Sequence, residues 1–289
     1  MNVKSGKKGI QPATRNNKII FGYVFYILVL IGFCLNKPGH LFANELPLDD
    51  QAWSFVVVAD AHLTENRKGE PTGEEKFKKV LERIDAINPR PDFMLLLGDI
   101  HEKKLEPLLP QIKITVHPIA GNHEGQANRK TLRKMFPEDF QDKDFYTFEH
   151  KKCLFIAMCT AAANDHVGHF ESQDITPSVG QCQWIEEQLK KGGQFQSVFL
   201  YGHIPPAENQ LEATSISWND SCYLLDLVRR YQPRALFFGH IHKQKTFKVD
   251  NATVYVVRSC NWNSRGEPTG FLHVKVFPNR VETEFIPVP

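Results

Sequence analysis

The 289-residue sequence is poor in cysteine, and its few cysteines form no recognisable metal or disulfide pattern. Six are present and none is spaced as Cys-x-x-Cys, which argues against a structural thiolate zinc site. Besides Cys34, the chain contains Cys153, Cys159, Cys182, Cys222 and Cys260. These five cannot all pair, although a single bridge is compatible with the count. Cys153 and Cys159 lie in an apolar run, where cysteine behaves as a small hydrophobic residue.

Acidic residues are missing from the first 43 positions, which contain six lysines and arginines. The rest of the chain has 29 basic and 33 acidic residues, so its net charge is −4, whereas the whole chain carries +2. A protein that binds the nucleic-acid backbone normally presents a strongly basic face. The acidic balance of residues 44–289 therefore argues against nucleic-acid binding.

Long hydrophobic runs are absent apart from one of 17 residues, 19–35, which follows the basic stretch. This pattern predicts a signal peptide cleaved after Ala43, or an amino-terminal signal anchor, over residues 1–43. In both cases the basic residues stay inside, and residues 44–289 are expected outside the cytoplasm. The protein would then be periplasmic, extracellular or attached to a membrane through this segment.

Internal repeats and low-complexity segments are also absent, and short apolar runs alternate with helical periodicity. Strands of this kind are predicted over 53–58, 93–97, 114–120, 198–201 and 235–238. Helices are predicted over 74–88, 181–191 and 222–231, with at most a short helix over 103–109, where Pro107 interrupts the pattern. Such alternation predicts parallel β-α-β units of an α/β protein, with ligands at the carboxyl edge of the sheet.

Two other regions depart from this alternation. An antiparallel pair is predicted over 145–149 and 152–159, followed by a loop over 161–178. After His242 only strands are predicted, over 245–249, 253–257, 271–276 and 282–286, and we expect them to build a second sheet.

The five strands predicted in the β-α-β units share one property. Each is followed by side chains of the types that bind metals. The residues at their carboxyl ends are Asp60, His62, Asp99, Asn122, His203, His240 and His242. This set contains nitrogen and oxygen ligands without a thiolate, which favours Mn, Fe or Zn. Seven ligands exceed the need of one ion and suit two divalent ions sharing a carboxylate. Two adjacent ions can clamp a phosphate ester and generate hydroxide from water, so the predicted reaction is phosphoester hydrolysis.

The motifs resemble those of the calcineurin-like metallophosphoesterases, and are similar to the branch that contains cyclic-nucleotide phosphodiesterases. The resemblance covers about residues 53–289 and rests on five short motifs in family order: Asp60-Ala61-His62, Gly98-Asp99, Gly121-Asn122-His123-Glu124, Gly202-His203 and Gly239-His240-Ile241-His242. It implies a four-layer α/β/β/α sandwich of two mixed sheets, the metallo-dependent phosphatase fold.

The resemblance also implies roles for individual side chains. One metal would be held by Asp60, His62 and His242, the other by Asn122, His203 and His240, with Asp99 bridging the two. His123 would remain unligated beside the leaving group, as proton donor or charge stabiliser. Glu124 would orient His123 through a hydrogen bond, or simply sit in the turn. Glu102 occupies the place where the family often has another acid, and His101 is an extra residue.

Other histidines have simpler interpretations. His117, His150 and His273 lie in predicted strands and are expected to be structural, while His166 and His169 lie in the long loop and are expected to be solvated, although within reach of substrate.

The predicted substrate is a small phosphomonoester or phosphodiester. A nuclease of the same fold is an alternative, disfavoured because no basic, aromatic-rich extension is visible. A non-catalytic metal-binding scaffold is another, disfavoured because it would not need His123.

Overall fold

Two β-sheets stacked face to face form the centre of the protein, in a computed structural model that describes residues 52–289. The predicted signal segment, residues 1–43, lies outside the described residues. Within residues 52–289 no helix is both long enough and apolar enough to cross a membrane.

The first sheet combines the first three strands of the described chain with its last two. These strands are β1 (Trp53–Ala59), β2 (Phe93–Leu97), β3 (Thr115–Ile119), β10 (Gly270–Val276) and β11 (Val281–Pro287). Their order is β11-β10-β1-β2-β3; β1, β2 and β3 are mutually parallel, whereas β10 pairs antiparallel to β1. The three parallel strands therefore end at the same edge.

The second sheet has six strands in the order β4-β5-β6-β7-β9-β8. These strands are β4 (Tyr146–His150), β5 (Cys153–Ala157), β6 (Ser197–Tyr201), β7 (Ala235–Phe238), β8 (Lys245–Val249) and β9 (Ala252–Val256). The predicted antiparallel pair is confirmed as β4 and β5, while β5, β6, β7 and β9 are parallel. The carboxyl ends of β6 and β7 therefore also meet at one edge.

Aromatic side chains fill the space between the sheets. Phe55 on β1 meets three phenylalanines of the second sheet edge-on, with ring centroids 5.5 Å from Phe155, 6.1 Å from Phe199 and 5.6 Å from Phe237. Edge-to-face contacts of this kind add to the free energy gained by burying the rings. The two sheets are thus held in a fixed relation, which fixes the relation of their carboxyl edges.

Helices cover the outer faces of both sheets, as the four-layer prediction requires. The helices are α1 (Gly73–Asp85), α2 (Glu102–Leu105), α3 (Gln126–Met135), α4 (Pro137–Phe140), α5 (Gln181–Lys190) and α6 (Trp218–Tyr231), with 3-10 turns at Glu106–Gln111, Lys191–Gln194 and Ser264–Gly266. Phe77 and Val80 of α1 belong to the core of the first sheet. Ile185 of α5 and Leu224 of α6 pack in the core of the second sheet.

Two predicted helix boundaries are wrong. The helix predicted over 74–88 ends at Asp85 with Ala86 as its C-cap, and it does not extend to Asn88, which precedes Pro89 and is therefore disfavoured in the helical region. The helix predicted over 222–231 begins four residues earlier, at Trp218, where the hydroxyl of Ser217 accepts a hydrogen bond from the backbone N–H of Asp220. Ser217 followed three residues later by an acid is a start signal that the apolar periodicity conceals.

The expected second sheet from the carboxyl-terminal strands is also corrected. Only β8 and β9 join the second sheet, whereas β10 and β11 return to the first, where Trp53 of β1 pairs with Val276 of β10. β10 is buried along nearly its whole length, as expected of a strand that lies inside the first sheet, between β11 and β1. All five cysteines within residues 52–289 are free.

Candidate metal centre

Five strand ends converge on one place and bring together the metal-binding side chains predicted from the sequence. From the first sheet, β1 leads to Asp60 and His62, β2 to Asp99, and β3 to Asn122. From the second sheet, β6 leads to His203, and β7 to His240 and His242. Because the strands are parallel within each sheet and the sheets are stacked, these residues meet at a shared edge.

The first ligand group consists of Asp60, His62 and His242, all buried, each offering a ligand atom within 4.8 Å of the others. Nε2 of His62 lies 3.2 Å from Nε2 of His242. Nε2 of His242 lies 3.5 Å from Oδ1 of Asp60. This is the set that the resemblance assigns to one metal.

The second ligand group consists of Asp99, His203 and His240, again with ligand atoms within 4.8 Å of one another. Nε2 of His203 lies 3.2 Å from Oδ2 of Asp99 and 3.1 Å from Oδ1 of Asn122. The amide oxygen of Asn122 therefore faces the same point as the imidazole, as expected of a fourth ligand.

Asp99 lies between the two groups. Its Oδ2 atom is 3.2 Å from Nε2 of His203 in the second group and 3.7 Å from Nε2 of His62 in the first. One carboxylate oxygen thus faces a ligand of each group, which is the placement that a bridging ligand needs.

Backbone carbonyls fix the orientation of two histidines. Nδ1 of His203 contacts the carbonyl of Leu97 at 2.7 Å, and Nδ1 of His242 contacts the carbonyl of Trp262 at 2.7 Å. A carbonyl only accepts, so Nδ1 carries a proton in each ring, and in the neutral ring Nε2 has a free lone pair towards the centre. The donor set and its tautomers therefore fit a pair of divalent ions. Trp262 was not predicted as a site residue, since a tryptophan in a loop gives no signal for a carbonyl contact.

Burial and neighbouring charge shift the pKa values of these groups. Burial alone would raise the pKa of Asp99, but the adjacent His203 and His62 outweigh it and hold that pKa far below its usual range. Burial would lower the pKa of His203, yet the Asp99 carboxylate raises it to about 9. The pKa of His240 falls to about 4, because burial and the positive charge of His203 both disfavour its protonated form. Asp99 is therefore ionised and His240 neutral at neutral pH, the forms that bind metal, whereas His203 must release a proton when an ion binds.

Two glycines allow the strand ends to approach each other. A Cβ atom on Gly121 would overlap the carboxylate of Asp99, and one on Gly98 would lie 2.6 Å from Nδ1 of His203. Gly98 also has a φ of +73°, in the left-handed region that favours glycine. These positions explain why glycine precedes the ligand in both motifs.

Glu124, predicted to orient His123 or simply to sit in the turn, holds the backbone of the centre. Its buried carboxylate accepts hydrogen bonds from the backbone N–H groups of Asp99 and Gly121 on Oε2, and of Ile100 and His101 on Oε1. All four distances lie between 2.8 and 3.1 Å. Both oxygens thus hold the loop after β2, and Oε2 also holds the turn after β3. Glu124 therefore fixes the position of Asp99.

His123 sits at the rim of the centre. Its side chain is 41% exposed, and its Nε2 lies 3.9 Å from Oδ2 of Asp99. The ring stands perpendicular to that of His62, with centroids 5.0 Å apart. His123 thus combines proximity to the ligand groups with access to solvent, which suits a group that meets substrate.

Arg129 is a buried residue of the site that the sequence analysis missed. It is 1% exposed, and its guanidinium donates to the carbonyls of Gly121, Glu124 and Ala161 and to the sulfur of Cys159. These contacts tie the turn after β3 to the loop after β5. Arg129 lies on α3, which was not predicted because Arg129 and Leu132 are its only buried residues and it has no apolar stripe.

A cleft of about 440 Å³ opens beside His240 and His242. Other walls of the cleft are formed by Lys243, Phe247 and Trp262. His166 is exposed, as expected of the loop, yet it also lines this cleft, with its ring centroid 5.9 Å from that of His240. His169 is instead directed to Asp220, at 3.7 Å.

The three strand histidines lie outside the ligand groups. His117 contacts Asp139 at 3.0 Å and His150 contacts Asp92 at 2.8 Å, while His273 is buried in β10. Glu102, in the position of the additional family acid, is buried, and burial raises its pKa.

The chain is similar to a known protein family and to several named proteins. The model of the family described as calcineurin-like phosphoesterase matches residues 54–244. A cAMP/cGMP dual specificity phosphodiesterase from Mycobacterium tuberculosis is 23% identical over 277 residues, covering 85% of this chain and 82% of that protein. A serine/threonine-protein phosphatase from Rattus norvegicus is 25% identical over 227 residues, covering 69% of this chain and 68% of that protein.

Among solved structures, a dimetal phosphatase from Danio rerio matches with a TM-score of 0.64 and 16% sequence identity. The match covers 82% of this chain and 96% of the other. At this identity the likeness shows the fold, and it confirms the predicted metallo-dependent phosphatase fold with two mixed sheets.

Proposed function

This chain belongs to the calcineurin-like phosphoesterases, and on that basis we propose that it hydrolyses small phosphoesters at a centre of two divalent ions outside the cytoplasm. The observation that carries the proposal is the position of Asp99 Oδ2, 3.2 Å from a nitrogen of one ligand group and 3.7 Å from a nitrogen of the other. A single-ion protein would not need a carboxylate shared in this way.

The nitrogen and oxygen ligands suit Mn, Fe or Zn as the two ions. Two such ions, when bound, would polarise the phosphoryl group, lower the pKa of water and stabilise the attacking and leaving oxygens. The side chains of the protein fix the position of the shared carboxylate and transfer a proton. Glu124 holds the loop that carries Asp99, so that the shared carboxylate does not move as the reaction proceeds. His123, at the exposed rim, donates a proton to the leaving oxygen of the ester.

The substrate that we propose is a small phosphomonoester or phosphodiester. The relatives are named as a cyclic-nucleotide phosphodiesterase and a protein phosphatase, so they do not decide between the two. The cleft beside His240 and His242, about 440 Å³, has the volume of a small-molecule site. Phe247 and Trp262 give it apolar surface for the organic part of the ester, and Lys243 adds positive charge at its edge.

A substrate panel tests this proposal. The full-length protein, stripped with a chelator and reloaded with Mn, Fe or Zn, is assayed with p-nitrophenyl phosphate, bis(p-nitrophenyl) phosphate, cyclic AMP and supercoiled DNA. We expect metal-dependent hydrolysis of at least one small ester, abolished in Asp99→Ala. Faster cleavage of DNA than of every small ester would favour the nuclease. Metal uptake without hydrolysis of any compound would favour the non-catalytic scaffold.

Export is proposed from the sequence of residues 1–43 and needs its own test. A reporter that is active only outside the cytoplasm, fused to the carboxyl end, is expected to be active. Activity of a cytoplasm-specific reporter at the same position would contradict export. The mass of the purified protein separately distinguishes cleavage after Ala43 from a retained anchor.

A further inference from the structure

Beside the two ligand groups lies another cluster of nitrogen and oxygen ligands, His62, Glu65, His101 and His123, and the proposed reaction uses only His62 and His123 of these. We propose that Glu65, His101 and His123 form a third cation site, here called the outer site, that takes a zinc ion and thereby blocks His123. The binding claim stands on the geometry of the cluster. The blocking claim rests on the proposed function.

The distances within the cluster suit a metal ion. His62, Glu65, His101 and His123 each offer one ligand atom, and these atoms all lie within 4.8 Å of one another. The ring centroids of His101 and His123 are 6.1 Å apart. Nε2 of His62 is directed at His242 in the first ligand group. Glu65, His101 and His123 are therefore the side chains available to the outer site.

Unpartnered buried nitrogens are a second, independent observation. Within residues 52–289, four buried side-chain nitrogens lack a hydrogen-bond partner, and two of them, Nδ1 of His62 and Nε2 of His101, belong to this cluster. His62 is 2% exposed, and its Nδ1 lies 2.8 Å from Oε1 of Glu65 without the alignment of a hydrogen bond. A buried polar atom without a partner is unfavourable. An ion bound to Nε2 of His101 would supply the missing partner.

Glu65 is held in place for this role. Its Oε2 accepts a hydrogen bond from the indole N–H of Trp262 at 3.0 Å, which leaves Oε1 directed into the cluster. A carboxylate that is already oriented loses little conformational freedom when it binds an ion.

The ligand types indicate which cation fits. Two imidazoles and one carboxylate form a set that binds zinc with a fourth position open. His123 is 41% exposed, so water can occupy that position. Because the outer site is open to solvent on this side, we expect its ion to bind more weakly than the two ions in the buried groups.

Occupation of the outer site has a direct consequence for the proposed reaction. A nitrogen of His123 bound to zinc no longer carries a proton for the leaving oxygen. Excess zinc therefore inhibits, while the first two ions activate. Zinc would therefore increase activity at low concentration and decrease it at high concentration.

Equilibrium dialysis against zinc tests the site without any assay of activity. The wild-type chain is compared with His101→Gly, chosen because His101 has a φ of +64° that glycine adopts without strain. Glu65→Gln is a second variant that keeps the shape of the side chain. The matched control is His169→Ala, which removes a loop imidazole that contacts Asp220.

We expect three zinc ions per chain at saturation in the wild type and in His169→Ala, and two in His101→Gly and Glu65→Gln. Two ions in the saturated wild type would overturn the proposal, and so would three ions retained in both variants of the outer site. Circular dichroism confirms that each variant is folded before dialysis.

Zinc titration of phosphoesterase activity tests the consequence. Inhibition by excess zinc is expected in the wild type and in His169→Ala, and should require at least about tenfold more zinc in His101→Gly, the lower end of the usual effect of losing a supporting metal contact. Equal inhibition of wild type and His101→Gly would refute the blocking role. Absence of hydrolysis in every protein would instead count against the proposed function, while the dialysis result would still decide the outer site.

Discussion

The Nε2 atoms of His62 and His242 face each other across 3.2 Å, and both side chains are buried. Two imidazole nitrogens in this position compete for one proton unless a cation takes both lone pairs. Asp60, itself buried, lies 3.5 Å from Nε2 of His242 and adds a negative charge without access to water. A cation bound between these groups satisfies all three at once, so metal binding is expected to stabilise the fold.

The first prediction follows from that arrangement. Chelation should lower the midpoint of thermal unfolding, and readdition of Mn or Zn should restore it. An ion present at 100 times its dissociation constant adds about 2.7 kcal/mol, and each kcal/mol moves the midpoint by roughly 2–4 °C in a domain of this size. Elemental analysis after gel filtration of the Mn-loaded protein should give two ions per chain. One ion or fewer would contradict the dinuclear centre.

The second prediction separates the shared ligand from an unshared one. Asp99→Ala removes the carboxylate that faces both groups and should reduce occupancy at both. His62→Ala removes a ligand of the first group alone and should leave the second ion in place. Metal content of the two variants, measured in parallel, provides the check. If Asp99→Ala loses only one ion, Asp99 does not bridge.

The third prediction concerns Glu124, whose oxygens accept four backbone hydrogen bonds. Glu124→Gln replaces one oxygen by an NH₂ group that must face two N–H donors. Hydrogen bonds to a charged group contribute about 1.5–3 kcal/mol, so we expect a loss of roughly that size in the free energy of unfolding, together with weaker metal binding. Chemical denaturation measures the loss.

Glu149→Gln is the matched control for this change, because Glu149 is an exposed glutamate on β4. It should unfold as the wild type does. Equal stability of both variants would show that the four hydrogen bonds to Glu124 do not support the centre.

The clustering of the candidate ligands could be predicted from the sequence because parallel strands bring residues distant along the chain to one edge. Asp60 and His240 are 180 positions apart, yet both follow apolar runs, and the backbone N–H of His240 donates to the carboxylate of Asp60 at 3.0 Å. Periodicity locates the strands, and the residue types after them indicate the chemistry. That reasoning does not require the order of strands within a sheet, which is why it located the site but misassigned β10 and β11.

The supporting residues could not be predicted, because their roles depend on contacts across the chain. The two roles predicted for Glu124, orienting His123 or sitting in the turn, are both local, whereas its carboxylate reaches the loop of Asp99, 25 positions earlier. Arg129 lies on a polar helix, and a buried arginine has no periodic signature. Glu65 and Trp262, 197 positions apart, meet only because the loops after β1 and β9 are adjacent. Local patterns carry no information about such pairs.

The last prediction concerns His123, which the proposed mechanism uses to protonate the leaving group. Its ring lies outside the two ligand groups and 3.9 Å from Oδ2 of Asp99, so His123→Ala should retain both ions. General acid catalysis contributes about 10²–10⁴ in rate, and this is the expected loss on alkyl phosphoesters, whose leaving groups need a proton. Activated aryl esters such as p-nitrophenyl phosphate should lose much less, because their leaving group departs without protonation. Rates on both ester types, with metal content measured in the same samples, test the assignment. Loss of an ion from the Mn-loaded protein, or an equal loss of rate on both types, would show that His123 acts as a ligand of the two groups or as a structural residue rather than as the acid.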